Sequence, residues 1–551
     1  MPLRFVEPSS EAYAFPLTIR HLLANVLTTA SDRTIVYRDQ VTITYAEFVG
    51  RVGRLASALT ELGTTTGTAV AVMDWDSHRY LEAYFAVPMM GAVLQTVNVR
   101  LPPHQVAFTL KHSGARIVLC HRDFLPLLEA VMPSLDDSLT VIVIDDGRDV
   151  PVPELAAGEY EELLAKASPD YPFEDFDENA VATTFYTSGT TGDPKGVCFT
   201  HRQIVLHTLA VTAGFAGRVQ GLFGHGDVYM PLTPMFHVHA WGMPYVATML
   251  GLEQVYPGRY EPRMICDLRA RHHTTFSHCV PTVLQMVLAE ADASDIDLKG
   301  WKMVIGGSAL SRQLCHQALA AGIEIVSGYG MSETGPLVAK ARPSDETFEV
   351  DGYDRDLLVE SVTAAGVLMP LVHARIVDEQ MNDVPHDGVS RGELVLRTPW
   401  LTPLYVGRPD ESHELWRGGW MHTQDIATID ESGVLRIRDR LKDVIKTGGE
   451  WIDSIQLEEL VAQAEGVAAA AVVAVPDDRW GERPCAVVVA HTGAEVGLDD
   501  LNAPVEAAIE AGDITRYARL ERFHVVTELP KTSVGKIDKK DIRRMLGELG
   551  S

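Results

Sequence analysis

The sequence predicts an α/β protein with a large N-terminal domain of doubly covered parallel and mixed sheets and a small, mobile α+β C-terminal domain. Three observations carry this reading. The chain has 551 residues, well beyond the roughly 250–300 at which one hydrophobic core stops growing. Stretches of helical period alternate with near-continuous Val/Ile/Ala runs, the pattern of parallel strands covered on both faces. Near residue 440 the texture changes to the charged run Asp439-Arg440-Leu441-Lys442-Asp443 followed by Thr447-Gly448-Gly449-Glu450. The boundary is placed at Leu441–Lys442, giving domains 1–440 and 441–551.

The elements follow in order. Over 44–63 apolar residues recur at helical spacing (Phe48, Val52, Leu55, Leu59, Leu62). Thr44 with Glu47 reads as a capping box, and Gly63 ends the helix. A strand over 68–73, a helix over 77–86, and strands near 94–97 and 116–120 come next. A helix over 125–131 and a strand over 139–144 continue the alternation. The acidic, proline-bearing stretch 167–179 reads as a loop leading into a strand over 180–185. In the second domain the pattern gives a helix over 454–464, strands over 467–475 and 483–489, and a helix near 498–511. A strand over 523–526 and a basic tail over 531–544 close it. No fixed-period repeat is present.

Composition narrows the function. The net charge is −28 and the pI about 5.1, which argues against a nucleic-acid or anionic-membrane partner. An anionic substrate then needs a locally basic site. The six cysteines show no C-x-x-C spacing, which fits reduced thiols better than a disulfide framework or zinc site. No leader pattern and no apolar run of about 18 residues is seen, so a soluble, cytoplasmic protein is expected.

The chemistry concentrates in residues 185–197, where four Ser/Thr hydroxyls, three glycines and Lys195 fall within thirteen residues. Glycine lets backbone N–H groups turn inward, and such a loop with added hydroxyls and a lysine forms an anion cradle. Its spacing is not that of a Walker loop, since Lys195 stands between Pro194 and Gly196. A polar surface loop is the rival reading. A strand running into such a loop matches the strand-end crevice of α/β proteins. Two further strand-to-glycine transitions, at Gly306-Gly307-Ser308 and Gly328-Tyr329-Gly330, make a shared nucleotide crevice more plausible than three ordinary turns. His237 and His239 at i, i+2 would share one face if extended. A metal pair and a single functional histidine beside core aromatics are both open.

These motifs, in this order, resemble the adenylate-forming superfamily of acyl-CoA synthetases, luciferases and peptide-synthetase adenylation domains. The resemblance covers essentially the whole chain. It rests on residues 186–196, 328–334, Gly419-Trp420 through Asp425, 439–442 and 530–536. It is closest to fatty-acyl-CoA synthetases through 234–241 and 448–452.

The resemblance implies ATP, Mg2+ and coenzyme A, a small-molecule carboxylic acid, and a two-step reaction through acyl-AMP. It implies that Thr187, Ser188, Gly189, Thr190, Thr191, Gly192 and Lys195 hold the pyrophosphate end, with Thr187 and Glu333 associated with magnesium. Thr334 would serve the α-phosphate. Gly306, Gly307, Ser308, Gly328, Tyr329, Gly330, Met331 and Ser332 would flank adenine and the acyl site. Asp425 and Arg440 would serve the ribose. His237, Val238, Trp241, Gly306 and Gly330 would line the acid pocket, His237 on the carboxylate and thiol side. Lys536 would contact the reacting carboxylate and α-phosphate. Lys446, with Gly448, Gly449 and Trp451 nearby, would serve the second step after rotation about Lys442. Dimers are common in the family.

Two positions depart from the family pattern. Gln424 replaces a glycine of the ribose motif, and His239 replaces a frequent asparagine. The implied acid is a medium- or long-chain fatty acid. Short-chain, thioether-bearing or aromatic acids, and loading of a carrier protein, are the alternatives.

Overall fold

A computed structural model describes residues 3–135, 139–147, 154, 156–187, 193–216, 222, 224–341, 355–448, 450–532 and 536–549. The described residues form four sheets.

The helix of the first expectation is Tyr45–Glu61. Thr44 accepts from the Glu47 amide, and the Glu47 carboxylate receives the Thr44 amide, closing the capping box. Its Phe48, Val52, Leu55 and Leu59 are buried. The next strand, Ala69–Met73, is buried throughout and is flanked on both sides by parallel strands. It lies in a seven-stranded sheet, parallel from Ala156–Glu159 through Thr140–Ile144, Ala115–His121, Ala69–Met73 and Val93–Thr96 to Val181–Thr187. Only Lys195–Thr200 is antiparallel, against Val181–Thr187. That hairpin flanks the glycine-rich loop.

A nine-stranded sheet contains Val228–Leu232, Phe276–Cys279, Lys302–Ile305 and Glu324–Gly330, all parallel, with antiparallel pairs toward both edges. The glycine transitions read from the sequence stand at the C-terminal ends of its last two parallel strands. A four-stranded antiparallel sheet, His373–Val377, Gly392–Arg397, Met421–Ile429 and Leu435–Arg440, leads to the second part of the chain. One continuous core runs from Ile19 to Leu435.

A separate core begins at Ile445 and is built on Val467–Asp477, Gly481–Ala490 and Leu498–Ala511. Two features go beyond what the sequence reading described. The tail read as a basic stretch holds a helix, Lys539–Leu549, whose Ile542 is buried against the sheet, because its apolar residues share one face. The segment with His237 and His239 is not extended. Val238, His239, Ala240, Trp241 and Gly242 all have positive φ, forming a left-handed turn. No helix among the described residues is long and apolar enough to cross a membrane.

Candidate active site

The end of the nine-stranded sheet and the tail of the chain meet around Gly307. Gly307 has φ +81, and a Cβ built there would lie 3.4 Å from Lys536 Cε and 3.9 Å from Trp241 Cζ2. A Cβ on Gly306 would lie 3.0 Å from Trp241 Cη2 and 2.8 Å from the Gly328 carbonyl. A side chain at Gly306 would strike the Gly328 carbonyl and the indole, whereas at Gly307 the positive φ itself favours glycine, with Val280 Cγ1 3.0 Å from the Cβ position. Gly330 is tighter still, with Pro336 O only 1.9 Å from the Cβ position. Ser308 is exposed at the rim, and Met331 and Ser332 are half-buried.

Three charged groups converge with Lys536. Tyr329 Oη donates to Asp425 Oδ2 at 2.7 Å, and Arg440 Nε lies 3.7 Å from Asp425 Oδ1. Burial pushes the Asp425 carboxyl up, against the pull of Arg440 and Tyr329. Burial pushes the Lys536 ammonium down to about 8; Arg440 adds to this while Asp425 and Glu333 oppose it. Tyr405 Oη donates to the buried Glu333 at 2.7 Å, and Lys195 Nζ sits 4.6 Å over the Tyr405 ring. Tyr405 thereby joins the glycine-rich hairpin to the Glu333 turn. Thr187 ends its strand opposite Lys195, its hydroxyl 3.5 Å from the Lys195 carbonyl. Ser188, Gly189, Thr190, Thr191 and Gly192 lie outside the described residues, as does Gly449.

The Thr334 hydroxyl is buried and engaged with Met331 and Pro336. It ties the turn that carries Glu333, because a buried hydroxyl takes the nearest backbone partners. His237 caps the left-handed turn. Burial pushes its imidazole down to about 3, with the charges of Lys536 and Arg100 adding to the effect, so it is neutral at pH 7. His239 points elsewhere: its Nε2 lies 2.8 Å from Thr183 Oγ1, and it packs edge-on against Tyr84 and Phe185. The two histidines therefore do not act as a pair. Val238 and Trp241 are buried beside them.

Lys446 is brought to a different place. It is exposed on the hairpin Ile445–Thr447/Glu450–Ile452, its ammonium 5.3 Å over the Trp451 ring. Gly448 adjoins, with φ +59 and Trp480 3.0 Å from its Cβ position.

Sequence reasoning passed over the groups that hold this site in place. The Met235 amide donates to Asp76 Oδ1 at 2.8 Å, Tyr84 Oη donates to the Met235 carbonyl, and Thr96 Oγ1 donates to the Phe236 carbonyl at 2.9 Å. Three side chains of the seven-stranded half thus fix the backbone leading to His237. Tyr405 and Arg100 were missed as well. None of these stands in a glycine-rich or charged run, so no local signal marks them.

Lys195 and Tyr405, the Glu333 turn, the Asp425–Tyr329–Arg440 cluster and the distant Lys536 thus share one crevice. A family model described as AMP-binding enzyme matches residues 23–406, and one described as AMP-binding enzyme C-terminal domain matches 456–536. The chain belongs to the AMP-binding enzyme family. Within it, the chain is 39% identical to a long-chain-fatty-acid–CoA ligase of Thermus thermophilus, covering 91% of this chain and 89% of that protein. It is 33% identical to a 3-methylmercaptopropionyl-CoA ligase of Ruegeria lacuscaerulensis, covering 95% and 94%. Among solved structures, ATP-bound MatB from Rhodopseudomonas palustris superposes with a TM-score of 0.82 at 24% identity, covering 98% of this chain and all of that one. This family fold places the AMP-binding module and its C-terminal partner on the two cores described above.

Proposed function

We propose that this AMP-binding enzyme is an acyl-CoA synthetase. It would activate a carboxylic acid with ATP to acyl-AMP and pyrophosphate, then transfer the acyl group to coenzyme A. One observation carries the reading: Lys536, from the far end of the chain, reaches Gly307 at a strand end, within the influence of Asp425, Arg440 and Glu333.

In the first step a carboxylate attacks the α-phosphorus of ATP, the bond to the β-phosphate oxygen breaks, and pyrophosphate leaves. Two anions approach, so neutralising charge is the main task. Lys536 supplies a positive charge at the reacting centre, and Lys195 supplies one at the leaving end. Asp425, oriented by Tyr329, accepts from the ribose hydroxyls. In the second step the thiol attacks the acyl carbon and AMP departs, with the neutral His237 imidazole beside the carbonyl. Lys446 serves this step from a rotated small domain pivoting at Lys442.

Magnesium accepts hard oxygen donors from few protein groups together with phosphates. One Glu333 oxygen is taken by Tyr405, which leaves the other, with the Thr187 hydroxyl, as the donors that fit the ion. When bound it supplies charge neutralisation at the phosphates.

The acid is proposed to be a medium- or long-chain fatty acid, in keeping with the Thermus relative. A short thioether acid is the second reading, favoured by the Ruegeria relative and by the large Trp241 indole standing against Gly306 and Gly307. Pyrophosphate release across a panel of carboxylates, with and without coenzyme A, tests this. Release that peaks with medium or long alkyl acids and yields a thioester is the expected result. No release with any acid would overturn it.

A further inference from the structure

Arg391 immediately precedes the strand Gly392–Arg397 of the large domain and reaches across to the small one. Its Nη1 donates to Asp453 Oδ1 at 2.9 Å and to the Trp451 carbonyl at 3.2 Å. The Asp453 side chain is 2% exposed, and its other oxygen has no hydrogen-bond partner among the described residues. Arg391 is thus the partner that compensates this buried carboxylate. A second grip lies beside it. Asp439, three residues before Lys442, accepts from both the amide and the hydroxyl of Ser454 at 2.6 Å each. Ser454 starts the helix Ser454–Val461, so Asp439 also places negative charge at a helix N-terminus.

Ser454 links onward to the segment that bears the proposed catalytic lysine. Lys539 Nζ donates to Ser454 Oγ at 2.6 Å and pairs with Glu458 at 2.7 Å. Lys539 stands three residues after Lys536 and begins the closing helix. A continuous path therefore runs from Asp439 through Ser454 and Lys539 to the Lys536 segment. Arg391 and Asp439 precede Lys442 and belong with the large core, which contains Leu394 and Leu435. Asp453, Ser454, Glu458 and Lys539 follow it and move with the small core, which contains Ile452 and Leu457. Rotation about Lys442 separates the first pair from its partners and leaves the Ser454–Lys539–Glu458 contacts intact.

We propose that Arg391 and Asp439 are positioning residues for acyl-adenylate formation, gripping residues 451–454 across the pivot so that Lys536 is held at Gly307. The inference rests on the synthetase reading above and adds a cause for the arrangement seen. The two grips stabilise one of the two arrangements the reaction needs, and they act on the first half-reaction alone.

The test measures the two half-reactions separately in Arg391→Ala, Arg391→Lys and Asp439→Asn: acyl-AMP formation by pyrophosphate release, and thioester formation from supplied acyl-AMP and coenzyme A. The loss of one charged hydrogen bond is expected to slow adenylate formation about tenfold or more in Arg391→Ala and Asp439→Asn. The second step should stay within about twofold or rise, and Arg391→Lys should recover most of the loss. Equal slowing of both steps, or no change in either, would overturn the proposal. Arg391→Lys and Asp439→Asn keep the test open if Arg391→Ala does not fold. If wild-type protein forms no acyl-adenylate from any acid, the synthetase reading fails on its own. The grip is then judged by resonance energy transfer between dyes on the two domains, where an unchanged efficiency in Asp439→Asn would overturn it.

Discussion

Lys536 carries a charge into a partly desolvated crevice, and burial has brought its ammonium down to about 8. A lysine that must be protonated to work then loses activity as pH rises through that value. Adenylate formation is expected to show an alkaline limb near pH 8, measured as kcat/KM for pyrophosphate release. Lys536→Ala should lower this step by about 10²-fold, the scale of one lost electrostatic donor. Thioester formation from supplied acyl-AMP should survive; equal loss of both steps would remove Lys536 from its assigned place.

Asp76 shows a different use of burial. Its carboxyl accepts from the Met235 amide and from Tyr260 Oη, yet burial pushes it up to about 7. The folded protein then holds a proton that the unfolded chain releases near pH 4. That stability is fully present below about pH 4 and is lost as pH rises through about 7. Asp76→Asn cannot titrate, so its Tm relative to wild type should move in the variant's favour between about pH 5 and pH 8. A pH-independent difference would mean an ordinary acidity. Gln424 is a third residue-scale case. It adopts φ 59 where the family resemblance expects glycine, so the loop keeps its left-handed conformation with a side chain present. Its amide donates to Glu393 at 3.1 Å and its carbonyl receives the Leu441 amide at 2.8 Å, which anchors that conformation.

At the scale of elements, the helix Tyr45–Glu61 and the turn 238–242 stand at opposite limits. The helix is specified locally, and its capping box is complete. Thr44→Ala should cost about 1 kcal/mol, read as a fall in thermal or denaturant stability; no change would mean water replaces the cap. The left-handed turn is specified by nothing local. Each non-glycine residue in that conformation costs roughly 1–2 kcal/mol, and Val238, His239, Ala240 and Trp241 all accept it. Packing overrides the local preference: all four side chains are buried, and His239 is anchored to Thr183. Strain of this kind persists where the surroundings over-determine the backbone. Here the result is a Trp241 ring laid against Gly306 and Gly307.

The whole molecule consists of two regions with their own cores, joined near Lys442 and gripped by a few polar contacts. The small region buries Leu501, Val505 and Leu520 around its own sheet. Leu501→Ala should destabilise it by about 2–5 kcal/mol and leave the large region intact. Limited proteolysis of this variant should remove residues beyond about 440 first, with mass spectrometry finding a protected large fragment. Simultaneous loss of both regions would mean that they unfold as one unit.

Sequence by itself determined the parts that depend on local or periodic signals. The capped helix, the Val/Ile strands and the strand running into the Gly-rich loop were readable, because period and turn chemistry act over a few residues. Motif order was enough to point to the family. Tertiary structure decided what depends on distant segments meeting. It bent the His237 segment into a left-handed turn and separated His239 from His237. It also brought Asp76, Tyr84 and Thr96 under the backbone before His237, and Tyr405 between Lys195 and Glu333. The partners in these contacts lie from about seventy to more than two hundred residues apart in the chain, and packing rather than propensity sets them, so no single stretch could display them.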